Sequence, residues 1–339
     1  MTTQVDFRGA IFAQPDNLAA AAEAFRQAAS EVDLGALCEG TIVLSGIGAS
    51  AHALIPAVLA LRAAGRRAFA VSAGELQEGA GAARLGDAFV LVSQSGASAE
   101  TVAALESIEG APVVAISANG ESPLARAARV WLPLGPAPDT PVATLSYTAT
   151  LQALGMLVDV LLDGAGETPM WERIPELATG VLEHADSLVG RCAERFAAVR
   201  ALDAVGGGPG HASAGETALL AREGLKLPAT GMETREYLHG PLEAVSAEFG
   251  SVVFGRERER GLAAELASFG AAVALITDTA AGDGADMHGA TIIELPSVPA
   301  LAAPVLQILP VQLLVDRVAE LRGLEIGKLE RQQPDTKLR

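Results

Sequence analysis

The 339-residue chain predicts an α/β protein built from two doubly wound, mostly parallel sheets, each flanked by helices in three layers. Three observations carry that prediction. Short β-branched or aliphatic runs alternate with Ala-rich segments. The switches fall at or near Gly, Ser, Asn or Pro. The same grammar returns in the second half, where a strand again runs into a glycine turn, Gly206 standing 160 positions after Gly46.

In the first half, residues Thr41–Ser45, Ala68–Ser72, Ala88–Val92, Pro112–Ile116 and Val130–Leu134 read as strands. Their continuous apolar character suits a parallel sheet covered on both faces. A helical pattern follows Asp139 to about Leu162, and Asp163-Gly164-Ala165-Gly166-Glu167-Thr168-Pro169 then breaks it before an amphipathic helix over about Met170–Leu202. Ala201–Val205 opens the second half, followed by Gly206-Gly207-Gly208-Pro209-Gly210 and a helix near Ala212–Gly224. Strand-like runs return at Ser251–Phe254, Ala271–Ile276 and Thr291–Leu295, and a long helix covers about Val305–Arg322. The expected division is an N-terminal helical segment (1–30), a first domain (31–165), a linker helix (166–199), a second domain (200–325) and a tail (326–339). The offset of the two glycine turns reads as an internal duplication.

Lys and Arg number 24 against 41 Asp and Glu, a formal charge of −17. Such a field repels phosphate backbones and anionic lipid, so neither nucleic acid nor a membrane surface is the expected partner. An anionic substrate must then be held by local hydroxyls and amides. The longest apolar stretch, Leu301–Val315, is interrupted by Pro304, Gln307, Pro310 and Gln312, short of the ~20 residues a spanning helix needs. Asp6, Arg8, Gln14 and Asp16 stand where a secretory leader would be apolar. Cys38 and Cys192 read as reduced thiols, and the expected address is the cytoplasm.

Two loops could hold an anion. Gly46-Ile47-Gly48-Ala49-Ser50-Ala51 follows a strand and opens a helix, as a dinucleotide fingerprint does. The acidic residue that would hold the ribose is missing, because the second strand ends in Val71-Ser72-Ala73 and Glu75 falls in the next element. A nicotinamide cofactor is therefore not expected. The more specific loop is Val92-Ser93-Gln94-Ser95-Gly96-Ala97-Ser98, whose three serines converge on a helix N-terminus, a phosphate cradle without lysine or metal. Ser98 also suits an ordinary N-cap. Glu223 and His239 are candidate general acid and base, 16 residues apart. Asp283, Asp286 and His288 share a glycine-rich loop whose expected reading is solvated rather than metal-binding. Arg256, Arg258 and Arg260, interleaved with Glu257 and Glu259, read as a solvated helix start, and His52 lies two residues after Ser50.

Taken together, the Ser-Gln-Ser-Gly loop and His239-Gly240-Pro241-Leu242 resemble the tandem sugar isomerase (SIS) family, in particular the isomerase half of glucosamine-6-phosphate synthase. The resemblance runs from Gln14-Pro15 to Leu309–Leu314. It implies that Ser50, Ser93, Gln94, Ser95 and Ser98 bind a sugar phosphate, and that Val142 and Thr144, with Asp139 as a further candidate, line the sugar chain. It also implies that Glu216 and Glu223 are the two acidic helix positions, with Glu223 the proton-transfer base, and that His239 opens the sugar ring from a neighbouring subunit, hence a homodimer. Two departures stand out. Leu220 occupies the place of a lysine three residues before the base, and the tail aligns poorly, leaving Lys337 or Lys328 as candidate replacements. The chain as given opens about 40 residues before the first strand, so the resemblance carries no glutaminase part and glutamine hydrolysis is not expected. The implied activity is aldose–ketose isomerisation, or deamination of an amino-sugar phosphate, on a hexose 6-phosphate such as glucosamine 6-phosphate. The alternative is a sugar-phosphate sensor, and a nicotinamide-dependent oxidoreductase ranks third.

Overall fold

The computed structural model describes residues 5–79, 85–108, 110–163, 169–279, 287–331, 333 and 335–338. The chain divides into two compact units interleaved in sequence. One comprises Asp16–Pro138, Leu145–Arg173 and Glu330–Arg339; the other comprises Met1–Pro15, Asp139–Thr144 and Ile174–Leu329. Each holds one parallel sheet.

The first sheet contains β1 (Ile42–Gly46), β2 (Ala68–Ser72), β3 (Ala88–Val92), β4 (Val113–Ser117) and β5 (Val130–Pro133), in the order β2-β1-β3-β4-β5. Every pairing is parallel. β1, β3 and β4 are buried from end to end, which is why their apolar residues run consecutively rather than at alternate positions, with small Ser45 and Ser117 at the carboxyl ends of β1 and β4. β2 is an edge strand, and its exposed Phe69 is covered on one face by the Arg62 guanidinium, 5.2 Å from the ring centroid. Helices Ala49–Ala63 and Leu145–Asp163 pack on each other beside the sheet. Trp171 lies so close to the second of these that a Cβ at Gly155 would come within 2.2 Å of its ring, and its indole N–H donates to Asp159 at 2.6 Å.

Leu145–Leu162 is more membrane-like than the Leu301–Val315 stretch singled out in the sequence. It is the one described helix long and apolar enough to cross a bilayer by length and composition. Of that window 78% is buried inside the protein, as befits a core helix.

The second sheet contains β6 (Ala201–Gly206), β7 (Ala229–Met232), β8 (Phe249–Phe254), β9 (Ala272–Thr277) and β10 (Thr291–Glu294), again all parallel, in the order β10-β9-β8-β6-β7. The strand order is that of the first sheet. Gly48 and Gly208 occupy matching places after β1 and β6, with φ of 58° and 54°. β7 has no counterpart in the sequence reading. It is a four-residue edge strand, and Gly231 in it is needed because a Cβ there would stand 2.6 Å from the Ala214 carbonyl oxygen. The amphipathic helix runs Pro169–Ala198, ending earlier than expected because residues from Ala201 onward join the sheet. Gln312, which interrupts the apolar stretch, is fully buried and accepts a 2.7 Å hydrogen bond from Gln14 Nε2. That bond satisfies the Gln312 carbonyl oxygen within an otherwise apolar layer.

In both sheets the chain leaves its first strand to one side and returns on the other. The crevice at the carboxyl ends of β1 and β3, and its counterpart at β6 and β8, is therefore where an open α/β sheet offers a ligand site.

Candidate active site

The serine loop leaves β3 at the first of these crevices. Ser93 is nearly fully buried, and its N–H donates to the Ile116 carbonyl at 3.1 Å; the Ala118 N–H returns to the Gln94 carbonyl at 2.9 Å, tying the loop to the end of β4. Gly96 turns the loop with φ of 65°, and a Cβ there would stand 2.0 Å from Ser122 Oγ, so no other residue fits. The Ser93 and Ser98 hydroxyls lie 3.0 Å apart, and Ser95 Oγ accepts the Ala97 N–H at 3.2 Å.

Ser98 occupies the N-cap position of the helix Ala99–Ser107 but makes no side-chain capping bond. Its hydroxyl is turned to Ser93 instead. Ordinary capping thus does not account for this serine. Gly46 completes the arrangement: a Cβ on it would stand 2.9 Å from Ser50 Cβ and 3.2 Å from the Val92 carbonyl oxygen, so its absence lets the start of the Ala49–Ala63 helix close onto the end of β3. Gln94 and Ser95 are half-buried at the same loop.

The tail comes to this loop as well. Lys337 forms an antiparallel bridge with Ser98; the Ala99 N–H donates to Thr336 O at 3.1 Å, and the Leu338 N–H to Ala97 O at 2.9 Å. An exposed lysine thereby stands on the strand segment that borders the hydroxyls. Hydroxyls, a helix N-terminus and a nearby ammonium are the groups that hold a dianion. Glu75 is exposed in the first turn of the helix Ala73–Gly79, its N–H donating to Ser72 Oγ at 3.1 Å.

The acidic candidates lie on the second unit's helix Gly210–Leu225. Glu216 is fully buried, and Glu223, seven residues on and so on the same helical face, is half-buried. Burial pushes the Glu223 carboxyl up to about 7, the negative charge of Glu216 adds to the shift, and Lys226 opposes it. Lys226 closes the helix in the left-handed conformation, with its ammonium donating to the Glu223 carbonyl at 2.6 Å. Leu220 is fully buried, an apolar side chain in the core. His239 stands exposed on the turn between Thr234–Tyr237 and Pro241–Ala244.

The segment Asp139–Thr144 belongs to this same unit. Asp139 organises it by accepting the Thr140 N–H at 2.8 Å, the Thr144 N–H at 3.1 Å and the Thr144 hydroxyl at 2.6 Å. Val142 and Thr144 are both fully buried. The candidates therefore group in two sets: Ser50, the serine loop and Lys337 on one unit, and Glu216, Glu223, His239 and residues 139–144 on the other.

Among the described residues no three His, Cys, Asp or Glu side chains gather as a metal set; Asp283 and Asp286 lie outside the described residues. Cys38 and Cys192 are buried free thiols, and burial pushes Cys38 up to about 11, far from a reactive thiolate.

A family model described as "SIS domain" matches residues 37–162, which hold the first sheet and its serine loop. That segment of the chain is similar to a SIS domain. The glutamine–fructose-6-phosphate aminotransferase (isomerizing) of Bradyrhizobium diazoefficiens is 29% identical over 262 residues, which is 72% of this chain and 43% of that protein. A Bartonella quintana protein of the same name is 28% identical over 259 residues, 42% of its length. The chain thus spans less than half the length of these relatives. Among solved structures, the C-terminal domain of glucosamine-fructose-6-phosphate aminotransferase from Francisella tularensis superposes with a TM-score of 0.85 at 21% identity, covering 96% of this chain and 99% of that one. A glucosamine-6-phosphate deaminase from Thermotoga maritima gives 0.78 at 20% identity, covering 98% and 99%. Tagatose-6-phosphate ketose/aldose isomerase from Escherichia coli gives 0.75 at 21% identity, covering 98% and 96%. At these identities the superpositions establish the fold.

Proposed function

We propose that the chain is a phosphosugar aldose–ketose isomerase, or an amino-sugar-phosphate deaminase, acting on a hexose 6-phosphate such as glucosamine 6-phosphate or fructose 6-phosphate. The observation that carries this reading is Glu223, a half-buried carboxyl that titrates near neutrality. A group so poised is present both protonated and ionised at neutral pH, so it can serve as base toward one carbon and as acid toward the next. In this reading the SIS-domain serines and Lys337 bind the phosphate, whose remote binding energy fixes the sugar for proton transfer. Glu223 moves the proton between C1 and C2, and Glu216 keeps its proton affinity high. His239 opens the sugar ring. Its exposure is what a side chain given to a second copy of the chain requires, and the proposal includes such a homodimer.

The test is turnover of a hexose 6-phosphate panel by wild type, Glu223→Gln and His239→Ala, reading ammonia release and solvent deuterium incorporation at C2. Wild type is expected to exchange. Glu223→Gln is expected to lose 10²-fold or more in kcat, in line with the value of positioned acid–base groups. Undiminished turnover in both variants refutes the assignment.

The second reading, a sugar-phosphate sensor, is favoured by Leu220, an apolar core residue where the resemblance places a lysine. Phosphosugar binding without C2 exchange in the wild type would select it.

A further inference from the structure

The second sheet has a crevice of its own. At the carboxyl ends of β6 and β8, a cavity of about 330 Å³ opens, the size of small-ligand pockets. One wall is apolar, formed by Phe254, Ile276, Leu295, Val298 and Leu306, and the polar side chains include Arg256, Glu259, Thr277, Asp278 and Gln307.

Those polar groups are arranged against an anion. Glu259 lies across the crevice: Oε1 accepts the Thr234 hydroxyl at 2.9 Å and Oε2 accepts the Arg256 N–H at 3.2 Å. A Cβ at Gly207 would stand 3.0 Å from Oε1, and one at Gly255 only 2.5 Å from Oε2, so both glycines make room for this carboxylate. It occupies the start of the helix Glu257–Ser268, where the SIS domain offers serine hydroxyls at the start of Ala99–Ser107. Arg256, the cation lining the cavity, is already paired, its Nε donating to Asp278 Oδ1 at 2.7 Å and its Nη2 to Oδ2. That pairing holds the Asp278 carboxyl below its usual range. A phosphate entering here would meet two carboxylates and one committed guanidinium.

We propose that this crevice is a second small-molecule site, taking an uncharged ring with neighbouring hydroxyls, a nucleoside or an unphosphorylated sugar, in preference to any phosphate ester. Glu259 and Asp278 supply acceptors for adjacent hydroxyls. Gln307 Oε1 is engaged by the Ser213 hydroxyl at 2.7 Å, which leaves its NH₂ as a donor for a ring heteroatom. The apolar wall takes the face of the ring. No residue of the serine loop and no part of the Glu223 assignment enters this argument, so it stands or falls separately from the proposed activity.

The full chain is titrated calorimetrically with adenosine, uridine, glucose and fructose, and with AMP, UMP and glucose 6-phosphate as charged counterparts, fructose 6-phosphate being held in excess throughout. At least one uncharged compound is expected to bind at least tenfold more tightly than its phosphate ester. Ala303→Phe, which fills the cavity, and Gln307→Leu, which removes the amide, are each expected to weaken that binding tenfold or more while unfolding cooperatively like wild type. Should one variant fail to fold, the other decides. Binding by nucleosides alone or by sugars alone identifies which source of the diol the site takes, and either supports the proposal. It is overturned if no uncharged compound binds, if the esters bind equally well, or if binding survives a folded variant.

Discussion

A carboxyl becomes a proton carrier at neutral pH when its surroundings cost the ionised form more than water does. Glu223 meets that condition through its helix: the turns toward the core remove solvent, and Glu216 two turns earlier adds like charge. Two pH dependences follow, and their signs are fixed. The base must be ionised to accept a proton, so kcat/KM is expected to rise with pH through about 7, a limb absent from any residual activity of Glu223→Gln. Stability moves the other way. Between the ordinary value of 4.5 and about 7 the folded chain holds a proton that the unfolded chain has lost, so Glu223 withdraws stability as pH rises across that window. Thermal unfolding at pH 5 and pH 8 checks this, the Tm of Glu223→Gln being expected to gain on wild type at the higher pH. An equal difference at both values would remove the raised proton affinity. The identity of Glu223 is legible in the sequence; its proton affinity is not, because burial depends on what packs over the helix.

At the scale of the element, the serine loop shows how composition and conformation divide the work. Three serines after an aliphatic strand are visible in the sequence, and so is the helix they precede. What the sequence leaves open is whether Ser98 caps that helix, and the fold decides it by turning the hydroxyl 3.0 Å from Ser93. The turn depends on Gly96, whose left-handed backbone and contact with Ser122 leave no space for a side chain. Gly96→Ala is expected to cost about 2–4 kcal/mol, the sum of αL strain and overpacking, in urea unfolding, and to lose phosphate binding with it. Unchanged stability would mean that the loop closes without the glycine. β7 is the element the sequence hides. With four residues, one of them glycine, it has no apolar run to betray it, and it becomes a strand because β6 offers an open edge.

For the molecule as a whole, a formal charge of −17 means that no long-range field draws a phosphate in, so affinity for one must come from groups within a few ångströms. The tail contributes there. Its residues Thr336–Leu338 bond along Ala97–Ala99 and set Lys337 beside the cradle. Removing residues 330–339 is expected to weaken fructose 6-phosphate binding about tenfold, close to 1.4 kcal/mol, with the cooperative unfolding of the rest retained. Lys337→Met is expected to reproduce most of that loss, and full affinity in both variants would exclude the tail from the site.

Every strand position but that of β7, the parallel character of both sheets and the serine loop were determined by the sequence alone, because a strand buried on both faces is apolar over consecutive residues and a turn at a helix start must be small and polar. Three things were decided only by the tertiary structure: the partner of the Ser98 hydroxyl, the proton affinity of Glu223, and the placing of Lys337 against a loop far from it in the chain. Each depends on which surfaces come together and exclude water. Local residue preference, which acts over a few positions, carries no record of that.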